Sequence, residues 1–355
     1  MSPKFFPLTV KEIRKLTKDA VSIEFDVPKT EHAHFQFISG QYLTLKTNIA
    51  GAEVRRSYSL CSSPFENKWI VAIKKIENGI FSNFATQKLK VGDQIEVMNP
   101  MGNFALQSAS GKPRSIILFA AGSGITPMLS IAKTLLHEEP NSDVTLFYGN
   151  QGFKTIIFRE ELEALKNAYM NRFRLVHIFS RESIGTKILQ GRIDYEKCLA
   201  LHTAFLKNQT IDGVYICGPE TMILEVRDCL TSLGIEKEKI HFELFHAGLA
   251  KKEQHKETVT DGLASEVEVI IDGDIISLAL HTNGENILDA AQKAGADLPY
   301  ACKGGVCCTC KAKIIEGTVS MDVNYALDEE EVANGYILTC QAHPTSERVL
   351  ITFDE

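Results

Sequence analysis

The stretch that decides the fold is Cys302-Lys303-Gly304-Gly305-Val306-Cys307-Cys308-Thr309-Cys310, and Cys340 follows after 29 intervening residues. The spacing is C-x4-C-x2-C-x29-C, with Cys308 lying between the second and third cysteines of the set. Three thiolates on one short loop and a fourth from a distant segment can converge on two metal ions. Gly304 and Gly305 allow such a loop to curl and to bring backbone N–H groups close to bound sulfide.

This spacing is typical of a plant-type [2Fe-2S] cluster. It predicts Cys302, Cys307, Cys310 and Cys340 as the ligands and Cys308 as a thiol that binds no metal. A structural zinc site usually has two short pairs such as C-x2-C, and this set has one. A disulfide framework is disfavoured, because nine cysteines in 355 residues without a signal peptide indicate a reducing compartment. One-electron transfer is the predicted activity.

Length and composition favour a cytoplasmic protein of several domains. A chain of 355 residues suffices for two or three domains, each with its own core. Residues 1–7 lack the apolar segment of a signal peptide, and no run of 18 apolar residues predicts a membrane helix. The lack of such a run also predicts no membrane partner. Lysine and arginine are scattered without aromatic neighbours, so we expect no nucleic-acid partner.

Charge is unevenly divided along the chain. Residues 261–355 contain 17 acidic and 5 basic residues, a net charge of −12, whereas the whole chain carries −7, which leaves +5 for residues 1–260. The acidic module could dock on the basic body, or on a basic patch of a partner that takes its electrons. Simple solubility is the alternative explanation of the acidic surface.

Hydrophobic periodicity divides the chain into segments. Val21–Val27 and Tyr42–Leu45 alternate with period two, which predicts a small antiparallel barrel. From Arg114 onward, apolar strands alternate with helical stretches, which predicts a parallel sheet with crossover helices. We therefore expect a barrel over residues 1–110, an α/β domain over 111–247, a polar linker over 248–262 and the cysteine-containing domain over 263–355.

Two motifs in the first segment resemble elements of a known family. The string Arg56-Ser57-Tyr58-Ser59-Leu60-Cys61-Ser62-Ser63-Pro64 resembles the signature R-x-Y-S-x-x-S-x-P of the ferredoxin–NADP reductase superfamily, and Gly79-Ile80-Phe81-Ser82 resembles its G-x-x-S element. The resemblance implies bound FAD, with Arg56 neutralising the pyrophosphate, Tyr58 packing on the isoalloxazine and Ser59 hydrogen-bonding near N5. It also implies that Gly79 and Ser82 present a helix start to the pyrophosphate. An ordinary helix entry capped by Ser82 is the alternative.

Two glycine-containing motifs in the second segment resemble elements of the same family. Gly122-Ser123-Gly124-Ile125-Thr126-Pro127 and Cys217-Gly218-Pro219 each follow a predicted strand and resemble elements of the same superfamily. The resemblance implies that Gly122 and Gly124 let the backbone approach the pyrophosphate of a nicotinamide cofactor, that Thr126 hydrogen-bonds there, and that Pro127 opens the helix. It places Cys217 beside the nicotinamide, with Gly218 and Pro219 forming the adjoining turn.

Three further residues complete the predicted site. Ser180 and Arg181 follow a predicted strand where the superfamily reads the adenosine ribose, and they could hold a 2′-phosphate, which favours NADPH over NADH. A plain surface loop with NADH accepted is the alternative. Glu243 lies in a segment that resembles the end of the superfamily's reductase unit, and the resemblance implies a proton-relay or orienting role. Ser59, Cys217 and Glu243 are thus the predicted catalytic residues.

The order of the domains resembles that of the reductase components of bacterial multicomponent oxygenases. That resemblance implies a β-grasp ferredoxin domain at the C-terminus, and electron flow from NADPH through FAD and the [2Fe-2S] cluster to an oxygenase component with a di-iron centre. A reductase for a Rieske dioxygenase, a desaturase or a haem partner is a related alternative, since a fold cannot name the acceptor. A non-catalytic redox sensor is an alternative of another class.

Overall fold

The computed structural model describes residues 4–106, 111–183, 185–245 and 262–354. Within these ranges the chain forms three large sheets and a fourth of two strands. The predicted linker, except for Gly262, falls outside the described residues. None of the helices in the described ranges combines the length and the apolar character that crossing a membrane requires.

The N-terminal sheet is the predicted antiparallel barrel. Its described elements are β1 (Phe5–Thr17), β2 (Ala20–Asp26), β3 (Tyr42–Ile49), β4 (Ala52–Ser59), β5 (Trp69–Lys74), α1 (Ile80–Gln87) and β6 (Gln94–Met98). The strands lie in the order β4-β3-β6-β1-β2-β5, and an antiparallel bridge between Leu60 and Val71 joins the two outer strands. Inward-facing side chains such as Ile23, Leu43 and Val97 fill the core, as period-two alternation requires.

The middle sheet is parallel, as its apolar strands predict. Its described strands and helices are β7 (Ser115–Ala121), α2 (Ile125–Glu138), β8 (Asp143–Asn150), α3 (Arg159–Ala168), β9 (Phe173–Phe179), α4 (Tyr195–Leu201), β10 (Gly213–Gly218), α5 (Glu220–Ser232) and β11 (Ile240–Leu244). The strand order is β11-β10-β7-β8-β9, so the direction of winding reverses between β7 and β10. In open parallel sheets a ligand binds at the carboxyl ends of the strands beside such a reversal.

Helix α2 begins two residues before the predicted start at Pro127. The turn Gly122–Gly124 runs directly into the helix, with Gly124 as the residue that precedes its first turn. Pro127 occupies the third helical position, where a backbone N–H would have no partner inside the helix. The proline is therefore tolerated without a break in the helix.

The C-terminal sheet carries the cysteine loop. Its described elements, together with the two-stranded sheet, are β12 (Ala264–Ile271), β13 (Asp274–His281), α6 (Ile287–Lys293), β14 (Lys311–Glu316), β15 (Val319–Met321), α7 (Glu329–Ala333), β16 (Tyr336–Leu338), β17 (Ala342–Pro344) and β18 (Arg348–Thr352). The order β13-β12-β18-β14-β16 has β12 and β18 parallel. This mixed sheet packs against α6 through Ile287 and Leu288, which agrees with the expected β-grasp fold.

Candidate functional site

The first four residues of the flavin motif, Arg56 to Ser59, lie on β4, and Tyr58 faces α1. Tyr58 is partly buried, and its ring centroid lies 5.5 Å from that of Phe81 in α1. Burial raises the pKa of Tyr58 well above its ordinary value of 10.0, so the phenol stays neutral. Arg56 is exposed, and its guanidinium donates to the carbonyl of Arg55 at 2.6 Å. A planar neutral ring beside an exposed cation fits a flavin and its pyrophosphate.

The start of α1 is built around Gly79. This residue is the helix N-cap, and a β-carbon there would stand 2.4 Å from Ser82 Oγ. Ser82 is not the cap; its hydroxyl accepts from the Ile76 N–H at 3.2 Å and donates to the Gly79 carbonyl at 3.4 Å. The serine thus closes the turn that precedes the helix. A glycine at this point leaves the first backbone N–H groups of α1 accessible to an anion.

Ser59, Cys217 and Glu243 come together where the barrel meets the α/β domain. Ser59 Oγ donates to Glu243 Oε2 at 3.0 Å, although the two residues are 184 positions apart. Cys217 on β10 pairs in register with Glu243 on β11. Burial raises the pKa of Glu243 to about 8, against the opposite effect of the Ser59 hydrogen bond. Burial, together with the Glu243 charge, raises the pKa of Cys217 as well. At neutral pH this set holds a thiol and a largely protonated carboxyl.

A cavity of about 720 Å³ opens at the carboxyl ends of the parallel strands. Its volume suits a dinucleotide rather than a small substrate. Five of the predicted cofactor-binding residues line it: Gly122, Ser180, Arg181, Gly218 and Pro219. With Asn150 at the end of β8, the cavity wall joins the ends of the neighbouring strands β10, β7, β8 and β9. A nicotinamide cofactor bound there would lie across the reversal in strand order.

Gly124, Thr126 and Pro127 lie behind this wall. A β-carbon at Gly124 would stand 2.1 Å from the Cys217 carbonyl oxygen, so glycine here permits the turn to pack on β10. The Thr126 hydroxyl donates to the Ser123 carbonyl at 3.1 Å, and Thr126 is 2% exposed. The structure gives these residues a place in shaping the turn, whereas Gly122, with φ of +55°, stands at the cavity surface.

Sequence reasoning missed three cations that line the cavity. Lys74 and Lys75 come from the end of β5 in the barrel, and Arg192 follows a short turn after β9. A β-carbon on Gly122 would lie 3.4 Å from Lys74 Nζ, so the lysine reaches across to the glycine turn of the nucleotide domain. Such positive charge suits phosphate groups. No sequence signal distinguishes these residues from ordinary surface lysines and arginines, because the fold alone brings them together.

The four predicted ligand cysteines converge. Cys307 Sγ lies 3.1 Å from Cys302 Sγ, and Cys340 Sγ is within hydrogen-bonding reach of the sulfurs of both Cys302 and Cys310. The Gly304 N–H donates to Cys302 Sγ at 3.3 Å. Hydrogen bonds from Cys307, Cys340 and the Gly304 N–H lower the pKa of Cys302, against the opposite effect of burial. Four sulfurs on one loop and one distant segment form a donor set that fits a [2Fe-2S] cluster.

Cys308 belongs to the interface with the barrel. Its sulfur lies 3.5 Å from the phenol oxygen of Tyr42 on β3, and the neighbouring Thr309 hydroxyl lies 3.1 Å from the same oxygen. The barrel also holds the ferredoxin domain through Arg55, which donates to Asp297 Oδ1 at 2.8 Å and stacks 4.3 Å from the ring of Tyr300. The cysteine loop therefore faces the strand pair that carries the flavin motif.

Three family models match successive parts of the chain. The matched residues are 7–106 for an oxidoreductase FAD-binding domain, 118–228 for an oxidoreductase NAD-binding domain and 269–345 for a 2Fe-2S iron-sulfur cluster binding domain. Their order is that of the barrel, the parallel sheet and the C-terminal sheet. The residues matched by each model include, in turn, the flavin motif, the glycine turn of the nucleotide domain and the four ligand cysteines.

Two relatives match over nearly their whole length. A subunit of the 1,2-phenylacetyl-CoA epoxidase from Escherichia coli (strain K12) is 42% identical, covering 99% of this chain and 98% of the relative. The ferredoxin reductase component of 3-ketosteroid-9-alpha-monooxygenase from Rhodococcus rhodochrous is 33% identical, covering 98% and 96%. Both relatives are parts of oxygenase systems.

Solved structures share the architecture. Phthalate dioxygenase reductase matches with a TM-score of 0.60 and 24% identity, covering 98% of each chain. An intact type IV self-sufficient cytochrome P450 monooxygenase matches with a TM-score of 0.72 and 19% identity, covering 98% of this chain and 41% of the longer one. The chain therefore belongs to the family of ferredoxin–NADP reductase-like electron-transfer reductases that join FAD-binding, NAD-binding and 2Fe-2S ferredoxin domains in one polypeptide.

Proposed function

We propose that this reductase takes a hydride from NADPH and delivers electrons one at a time to the di-iron oxygenase component of a phenylacetyl-CoA epoxidase. When bound, FAD accepts the two electrons of the hydride and the [2Fe-2S] cluster carries single electrons. The main observation behind the proposal is that the strand pair β3–β4, which carries the flavin motif, contacts both the nucleotide domain and the cysteine loop. Ser59 of β4 contacts Glu243 of the nucleotide domain, and Tyr42 of β3 contacts the cysteine loop.

The chain's residues position the reacting groups rather than perform acid–base chemistry on a substrate. Ser59 and Glu243 form a hydrogen-bonded pair at the flavin motif, and this pair can hold or release a proton there. Cys217 is buried and directly precedes Gly218, the residue that ends β10 and lines the cavity. From this position its thiol would lie next to a bound nicotinamide ring.

The cations in the cavity support NADPH as the electron donor. Ser180 and Arg181 stand at the end of β9, and Arg192 faces the same space. A hydroxyl and two guanidinium groups form a site for a 2′-phosphate, because guanidinium binds phosphate through paired N–H donors. Lys74 and Lys75 lie across the cavity, where they suit the pyrophosphate.

The acceptor is proposed from the relative that is 42% identical to this chain. That relative is a subunit of phenylacetyl-CoA epoxidase, and it aligns with this chain over nearly the full length of both. The acidic C-terminal module, with a net charge of −12 over residues 261–355, favours a basic docking surface on the oxygenase component.

Reconstitution with separate oxygenase components tests the proposal. The holoprotein is mixed with NADPH and either a phenylacetyl-CoA epoxidase oxygenase component or a 3-ketosteroid monooxygenase oxygenase component, and product formation is followed for each. We expect epoxide formation with the first and little product with the second. Equal support of both would contradict the assigned acceptor, and product formed only with NADH would contradict the assigned donor.

A further inference from the structure

Tyr42 connects the flavin-binding barrel to the core of the ferredoxin domain. It belongs to β3, yet its ring packs among the buried residues of the ferredoxin domain and is 4% exposed. Its backbone is held by two hydrogen bonds with Met101, at 2.8 and 3.0 Å. Gly102 has φ of +122°, and a β-carbon there would stand 2.9 Å from the Tyr42 ring. Met101 and Gly102 of the barrel therefore fix the position of the Tyr42 ring.

The Tyr42 phenol contacts the two residues that lie between the ligand cysteines Cys307 and Cys310. Its oxygen lies 3.1 Å from Thr309 Oγ1 and 3.5 Å from Cys308 Sγ. A phenol has one hydrogen to donate. If the phenol donates to Thr309, its oxygen can accept from Cys308, so one arrangement of protons satisfies both contacts.

The same tyrosine lies beside the flavin motif. Tyr42 pairs with Ser59 in the β3–β4 ladder, and Leu43 pairs with Tyr58. Residues directly opposite in an antiparallel ladder project to the same face, with Cα atoms about 4.5–5.5 Å apart. The residue pair Ser59–Tyr42 therefore connects strand β4, which carries the flavin motif, to the cysteine loop.

We propose that Tyr42 is a positioning residue for the transfer of one electron from flavin to cluster: its phenol holds Cys308 and Thr309, and with them the cysteine loop, against the flavin-binding strands. This inference rests on the proposed function. In the step, reduced flavin loses one electron, the oxidised cluster gains it, and no bond forms or breaks. Electron tunnelling weakens steeply with distance, and hydrogen bonds from the loop to the sulfurs set the cluster potential. Both the distance between flavin and cluster and the reduction potential of the cluster therefore depend on the Tyr42 phenol.

The test is Tyr42→Phe in the full-length holoprotein, because phenylalanine keeps the ring and removes only the hydroxyl. Anaerobic stopped-flow mixing with NADPH should show flavin bleaching at the wild-type rate, followed by cluster bleaching slowed roughly three- to tenfold, the effect of one net hydrogen bond. Redox titration followed by the EPR signal of the reduced cluster should give a lower potential, since a loop held less firmly directs its N–H donors less well at the ligand sulfurs. Cluster bleaching at the wild-type rate with an unchanged potential overturns the inference.

Companion variants separate this role from simple docking. Thr309→Val should reproduce the potential shift of Tyr42→Phe, the double variant should add little to either, and Thr309→Ser should restore the wild-type value. Arg348→Ala removes an exposed ion pair of 3.0 Å with Glu268 in the ferredoxin domain, and should leave the potential unchanged. Additive shifts, or an equal shift in Arg348→Ala, contradict the inference. Failure of flavin bleaching in the wild type would instead contradict the proposed function.

Discussion

Replacing Arg55 by alanine should loosen the contact between the barrel and the ferredoxin domain. Arg55 is 5% exposed, and its guanidinium donates to Asp297 Oδ1 at 2.8 Å and to the Leu298 carbonyl at 3.4 Å. It also stacks on Tyr300 with a centroid distance of 4.3 Å. Its carboxylate partners, Glu53 and Asp297, are 46% and 81% exposed. Water can therefore solvate both carboxylates after the substitution, and no charge is left buried.

The size of the effect follows from these contacts. An ion pair to an exposed carboxylate contributes about 0–1 kcal/mol, and a cation–π contact contributes about 0.5–1 kcal/mol. The docked state should lose roughly 1–2 kcal/mol, which is about a 5- to 30-fold change in the docking equilibrium. High salt should produce a smaller further loss in the variant than in the wild type, because the ion pair is already absent.

Hydrogen–deuterium exchange measures this equilibrium directly. Amides in peptides covering residues 298–310 should exchange faster in Arg55→Ala by the factor above, because exchange of protected amides follows the opening free energy. Arg348→Ala removes an exposed arginine paired with Glu268 inside the ferredoxin domain, and should leave these peptides unchanged. Exchange in Arg55→Ala at the wild-type rate would refute the reasoning.

The remaining predictions concern the three binding sites. The pKa of Glu243 is raised from 4.5 to about 8 in the folded state, so between these pH values the folded protein keeps a proton that the unfolded chain releases. The free energy of unfolding should therefore fall by about 2–4 kcal/mol as the pH rises from 4.5 to 8. Denaturant unfolding should show this slope in the wild type and its loss in Glu243→Gln; equal slopes would contradict the burial of that carboxyl. Arg181→Ala should raise the KM for NADPH roughly tenfold or more while sparing NADH, by loss of charge-assisted hydrogen bonds, and steady-state kinetics with equal changes for both donors would exclude a 2′-phosphate contact. Cys340→Ser should abolish the iron and sulfide content yet leave NADPH-dependent ferricyanide reduction, whereas loss of both the cluster and the ferricyanide activity would mean that the cluster supports the flavin site.

Local patterns in the sequence predicted the fold well. The cysteine spacing identified a ferredoxin domain, and the change from period-two alternation to apolar strands with helices identified the barrel and the parallel sheet. These signals are local because side-chain periodicity is set by the geometry of each element. The element ends differed by a few residues, as at Pro127, where a glycine turn continued into the helix.

Contacts between distant segments could not be predicted from the sequence. The Tyr42–Thr309 hydrogen bond joins residues 267 positions apart, and Lys74 reaches the cavity of another domain. Gly124 packs against the backbone of Cys217, which lies on a different strand. Such contacts depend on how the domains and the crossovers pack, which no single motif encodes.

Hydride from NADPH is proposed to enter at the flavin motif, and its electrons to leave the molecule through the cysteine loop. Anaerobic stopped-flow mixing of the reconstituted holoprotein with NADPH, recorded over the full visible spectrum, tests this route most directly. We expect flavin bleaching first, followed by bleaching of the cluster and appearance of the reduced-cluster EPR signal in the same molecules. Rapid flavin bleaching with a cluster that stays oxidised would contradict the proposed route.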